Sequence, residues 1–128
     1  MAREVTTTGS KLVSTLMKEF NKNFPYLILV IGPIDTQGCI HQVDVNKTLS
    51  EIRTKKGKGE LSFSGNKLVK TIEREFKDLY GISAQIGIKQ GDGLEYYSAG
   101  VYDDMTLSQF NLAMKNAGCQ KGVWRFGL

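Results

Sequence analysis

Lys11-Leu12-Val13-Ser14-Thr15-Leu16 and Lys67-Leu68-Val69-Lys70-Thr71-Ile72 are two versions of one phrase, 56 residues apart. The likeness continues through Lys18-Glu19-Phe20 against Arg74-Glu75-Phe76, and Phe24 against Tyr80. Further on, Asn46-Lys47-Thr48-Leu49-Ser50-Glu51-Ile52 matches Asp104-Met105-Thr106-Leu107-Ser108-Gln109-Phe110 at an offset of 58. Gly59-Glu60-Leu61-Ser62-Phe63 resembles Gly122-Val123-Trp124-Arg125-Phe126 at an offset of 63. The drift in offset places one insertion between two strands and another at the end of a helix. Self-similarity of this kind is read before any single motif. It predicts a tandem duplication.

The elements of each copy follow from side-chain period. Leu12, Leu16 and Phe20 recur every four residues, with Val13, Met17 and Phe24 beside them, which makes one helical face. Ser10 and Asn66 are residue types that cap helix N-termini. Thr48-x-x-Glu51 and Thr106-x-x-Gln109 read as capping boxes opening the second helix of each copy. Gly57 and Gly118 suit the C-terminal ends of those helices. Strands are expected at 4–8, 26–32, 39–45, 60–64, 82–89, 95–102 and 122–126. Glycine-bearing turns at 33–38 and 90–93 separate them.

The expected fold class is therefore α+β. It consists of a tandem duplication of a roughly 60-residue βαββα unit with a closing C-terminal strand, about seven strands and four helices in all. The first half runs in ferredoxin-like, split βαβ order. One copy alone would be marginal, so residues 1–128 are read as a single domain of two repeats. Repeat one covers about 3–64 and repeat two about 60–128, with strand 60–64 shared.

Where the copies differ, function has room to depart from folding. Side chains alternate across a strand. In copy two, Ile82, Ala84, Ile86 and Ile88 are expected to face the core, with Ser83, Gln85, Gly87 and Lys89 facing water. The matching strand of copy one then turns Tyr26, Ile28 and Val30 inward and Leu27, Leu29 and Ile31 outward. An apolar outer face calls for a cover. Either the fold supplies it, or a partner or second copy of the chain does, because monomers rarely expose a contiguous apolar patch. Leu27, Leu29 and Ile31, with Tyr97 from an aromatic cluster, are the candidate protein-contact residues.

Composition bounds the alternatives. The chain is 41% hydrophobic and 23% charged, an ordinary globular balance. No apolar run approaches the length of a membrane helix, and the N-terminus turns polar at once, so no membrane or secretory role is expected and a cytoplasmic location is. The two cysteines, Cys39 and Cys119, fit a reducing compartment. The net charge of +4 is concentrated in Lys47, Arg53, Lys55, Lys56 and Lys58. These five are the candidate anion or nucleic-acid contacts. They lie after a helix rather than before one, so they do not form a phosphate loop, and cations there also favour the helix dipole.

No catalytic, cofactor or metal constellation is expected. Cys39 and His41 are too few for a zinc site, and as a nucleophile and base they lack a third orienting group. Asp103 and Asp104 stand before a helix, where capping explains them. Trp124 aligns with Leu61 and is expected in the core. The expected function is protein–protein interaction without enzymatic chemistry, through the outer face of strand 26–32. Nucleic-acid or anion binding at 53–58 is the alternative, and an enzyme with its site at the seam between repeats comes third.

Overall fold

The computed structural model describes residues 4–37, 40–54, 60–89, 95–97 and 100–119. It is a mixed α+β protein of two small antiparallel sheets and four helices. In chain order the elements are β1 (Glu4–Thr7), α1 (Val13–Asn23), β2 (Ile28–Gly32), α2 (Leu49–Ile52), β3 (Leu61–Ser64), α3 (Val69–Tyr80), β4 (Ser83–Lys89), β5 (Glu95–Tyr97) and α4 (Leu107–Asn116). A 3-10 turn at Gly100–Asp104 precedes α4. β1 pairs with β3, and β2, β4 and β5 form the second sheet. The strands of 4–64 therefore do not share the single sheet of a split βαβ unit. Each half instead gives strands to both sheets.

The helices form where the apolar period requires them. α1 buries Val13, Leu16, Met17 and Phe20, and α3 buries Val69, Ile72, Phe76 and Tyr80. Their N-termini are not capped by Ser10 and Asn66. The capping positions are Leu12 and Leu68, which offer no side-chain acceptor. The free N–H groups are met by another segment's backbone. Val13 N donates to Lys47 O at 2.9 Å, and Val69 N donates to Met105 O at 2.9 Å. The same segments return the contact, since Leu49 N donates to Lys11 O and Leu107 N to Lys67 O, each at 3.0 Å. Both expected capping boxes are formed, Thr48 with Glu51 and Thr106 with Gln109. Ion pairs repeat as well: Lys11–Glu19 at 2.8 Å and Lys67–Glu75 at 2.7 Å.

Both sheets join one half of the chain to the other, and both do so in matched register. In the first, Thr6 lies opposite Ser62, its counterpart 56 residues on. In the second, Leu29 lies opposite Ile86, 57 residues on. The extra residue enters at the end of α3, which is 12 residues long against 11 for α1 and closes on Gly81 with a left-handed φ of 77°. Only glycine takes that conformation without strain.

That single residue overturns the expected facing of 26–32. A shift of one position sends every side chain of a strand to the opposite face. Leu27, Leu29 and Ile31 therefore correspond to Ala84, Ile86 and Ile88, and all six lie in the same buried cluster. Ile82 is also buried there, as the pattern of copy two predicts.

The expected strand 39–45 is not regular over its described residues, 40–45. It does run antiparallel beside β2: His41 N donates to Pro33 O and Val43 N to Ile31 O, both at 2.9 Å. The return bond from Ile31 N does not reach the opposing backbone. The Gln42 side-chain amide stands in between, its Oε1 accepting from Ile31 N at 3.2 Å and its Nε2 donating to Val43 O at 3.1 Å. The inserted amide satisfies both groups and breaks the ladder. The expected strand 95–102 ends at Tyr97 on its described residues, and Tyr102 belongs to the 3-10 turn, its ring stacked 5.1 Å from Phe110. Gly57 and the expected closing strand 122–126, with Trp124 and Phe126, lie outside the described residues.

Candidate protein-contact surface

The proposed outer face of β2 is not a surface. Leu27 and Ile31 are 0% exposed and Leu29 is 2% exposed. The fold supplies their cover, with Leu29 opposite Ile86 and Ile31 opposite Ala84. Val30, on the other face of the strand, is buried too. The backbone of Tyr97 pairs with Gly87, and its side chain lies outside the described residues.

Beyond β2 the chain turns outward. Pro33, Ile34, Asp35, Thr36 and Gln37 are all exposed. The segment is nevertheless tied down. Ile34 bridges to Ile40 across the hairpin, and His41 N reaches Pro33 O. Asp35 uses both carboxylate oxygens: Oδ1 accepts from Gln37 N at 2.9 Å, and Oδ2 meets His41 Nε2 at 2.7 Å. At the base, Gly32 is a steric requirement, because a Cβ there would fall 1.7 Å from His41 O. The hairpin is thus fixed at its base by backbone contact and near its tip by a carboxylate that fastens two points of the turn.

The corresponding hairpin of the second half is shorter over its paired residues. Ile34 lies five residues beyond Leu29, whereas Lys89, paired with Glu95, lies three beyond Ile86. Two further residues of strand carry the first hairpin about 7 Å further from the sheet centre. The side chain at its end is Ile34, 43% exposed. The sequence signal for it was the isoleucine directly after Pro33 in a turn otherwise composed of polar residues and glycine.

The basic residues have different fates. Arg53 is engaged in the fold: its Nη2 donates to Leu79 O at 2.7 Å, and its guanidinium sits 4.8 Å above the Tyr80 ring. A planar cation is well suited to such a stack. Lys47 has an exposed side chain, while its carbonyl receives Val13 N. Lys55, Lys56 and Lys58 lie outside the described residues.

The remaining chemical candidates resolve into structural parts. Asp104 pairs with Lys70 at 2.6 Å. The Cys119 thiol lies 3.8 Å from Met114 Sδ, and burial pushes its pKa up, away from the reactive thiolate. Cys39 lies outside the described residues. Among the described residues no group of three or more His, Cys, Asp or Glu is placed to hold a metal, and no helix is long and apolar enough to cross a membrane. No protein-family model matches the chain, and neither a curated protein nor a solved structure gives a significant match.

Proposed function

We propose that this chain is a protein-binding module built as two copies of one α+β unit, and that hairpin 33–41 presents its contact surface. The observation that carries the reading is Ile34, a large apolar side chain 43% exposed on a projecting, internally fastened hairpin. Apolar anchors contribute most to an interface when they are held in place beforehand, because less freedom is lost on binding. Exposed, rigidly supported loops are also where binding residues concentrate. The duplication is supported by the paired helix-end hydrogen bonds, the two capping boxes and the two lysine–glutamate pairs at matching positions.

The anion-binding alternative loses Arg53 as a free cation, since that side chain is committed to Leu79 and Tyr80. The two readings separate on salt. A phosphate contact weakens steeply as salt rises, whereas an apolar contact at Ile34 persists.

The test is affinity capture with the intact protein and with Ile34→Asp, washed at low salt and at about 0.5 M salt, where charge interactions are screened within a few ångströms. The expected result is a partner retained at both salts by the parent protein and lost from the variant. Both proteins should keep the same melting temperature, because an exposed side chain contributes little to folding. A partner held equally by Ile34→Asp removes the hairpin from the interface. A partner released from the parent protein by salt favours the basic segment.

A further inference from the structure

We infer that the contact between the two halves is one that two copies of this chain can form by exchange, repeat one of each copy packing on repeat two of the other. The inference rests on the duplication proposed above and extends it to a partner: a second copy of the chain.

The argument begins with the register. In both ladders that cross between halves, a residue meets its own counterpart, Thr6 with Ser62 and Leu29 with Ile86. Contacts on either side are reciprocal: Val5 faces Phe63 and Thr7 faces Leu61. A surface that meets its own equivalent in this way is self-complementary, as in symmetric dimers of identical subunits. Here the two subunits are joined in one chain.

Each half is also knit within itself. The bonds Val13–Lys47, Leu49–Lys11 and Ser50–Gly9 stay inside the first, and Val69–Met105, Leu107–Lys67 and Ser108–Gly65 inside the second. Between halves lie the two ladders and a few cross-ties, such as Tyr26 N to Asn111 Oδ1 at 2.9 Å. Covalently, the halves are connected only through the passage from Thr54 to Glu60. Exchanging halves between two chains regenerates both ladders and those ties, and alters only the path of that passage. Swapping of identical elements between copies is a low-cost route to a dimer for this reason. Within one chain the tether raises the effective concentration of the two halves for each other. The exchanged form is therefore favoured by refolding at high protein concentration.

The experiment uses full-length chains with opposite defects. Leu29→Arg forces a charge into the first half's side of the β2–β4 contact, and Ile86→Arg into the second half's side. Each alone is expected to lose its native near-UV signal. Refolded together in equal amounts, they can build one intact unit from the sound half of each. The expected result is recovery of about half the native signal, in a species of twice the 14.2 kDa chain mass. A control mixture pairs Leu29→Arg with Leu16→Arg, both in the first half, and is expected to recover nothing. If the cross-half mixture also recovers nothing, exchange is overturned while the duplication stands. If both mixtures recover, the exchanging unit is not the repeat, and the duplication reading falls with the proposal.

Discussion

Phe63 and Thr7 occupy equivalent positions in the two halves and are chemically unlike, whereas Leu29 and Ile86 are equivalent and alike. The difference follows from where each stands relative to the line about which the halves are matched. Phe63 touches Phe20 at 5.9 Å and also Phe76 at 6.4 Å, and those two are themselves counterparts. A phenyl ring at position 7 would, by the same match, need contact with the same two rings. The space between α1 and α3 holds one such ring, and Thr7 is the small partner that leaves room for it. Thr7 is buried at 2% exposure, and its hydroxyl donates to Thr8 O at 3.1 Å. Leu29 and Ile86 lie across the ladder from one another, so two aliphatic side chains share the site without collision. Equivalent positions can stay alike away from the shared space and must diverge within it, because interiors are close-packed.

The largest expected effect breaks this comparison at its asymmetric point. Phe63→Ala empties the space between Phe20 and Phe76 and should destabilise by about 3–5 kcal/mol, as for other buried phenylalanines. Thr7→Val, at the matching position, changes shape very little and removes one hydroxyl hydrogen bond, a loss of about 1 kcal/mol. Urea unfolding of both variants checks the ratio. Similar losses would mean that the two positions contribute equally and that one ring does not dominate the space.

A smaller effect sharpens the comparison at its symmetric points. Thr48 and Thr106 each accept a hydrogen bond from the backbone three residues on, at 3.3 and 3.1 Å. Replacing either by alanine should cost about 1 kcal/mol. The two helices differ in length, four residues for α2 against ten for α4. Thr106→Ala should therefore give the larger loss of far-UV helical signal. An equal loss would place the two helices on the same footing despite their lengths.

These capping boxes were legible in the sequence because their signal is local, a hydroxyl and an acceptor three residues apart. The apolar faces of α1 and α3 were legible for the same reason. The facing of β2 was not. Its alternation reads equally well in two registers, Tyr26-Ile28-Val30 or Leu27-Leu29-Ile31, and the choice depended on where one inserted residue was placed. Setting it before the strand, at Gly81, aligns apolar with apolar; setting it later, as the sequence reading did, does not. Ser10 and Asn66 are capping types that do not cap, because the helix ends find backbone carbonyls 34 and 36 residues away, Lys47 O and Met105 O. No local pattern announces a contact at that separation. The binding reading shows the same limit: Leu27, Leu29 and Ile31 were conspicuous by composition, whereas Ile34 acquires meaning only from a hairpin length set by strand pairing.

The smallest expected effect turns on the one chemical difference between the two boxes, Glu51 in the first and Gln109 in the second. Thr48 N donates to Glu51 Oε1 at 2.9 Å, and Thr106 N donates to Gln109 Oε1 at 3.0 Å. The backbone hydrogen bond from Thr48, followed by its side-chain hydrogen bond, holds the Glu51 carboxyl below its usual value of 4.5. A carboxylate whose folded-state pKa is depressed binds its proton less readily than in the unfolded chain. Its contribution is thus fully present above the unfolded value and fades as pH falls through the depressed folded one. The first box should loosen under acid conditions while the second, with a neutral amide, does not. Amide exchange at Glu51 N and Gln109 N reads the two ends separately: protection at the first should fall between neutral pH and the acid side of 4.5, after correction for intrinsic exchange, and protection at the second should stay level. Glu51→Gln should make the first box as indifferent to acid as the second. If it still loosens, the acid sensitivity belongs to something other than the Glu51 carboxylate, and the difference between the boxes lies in the length of the helices they begin.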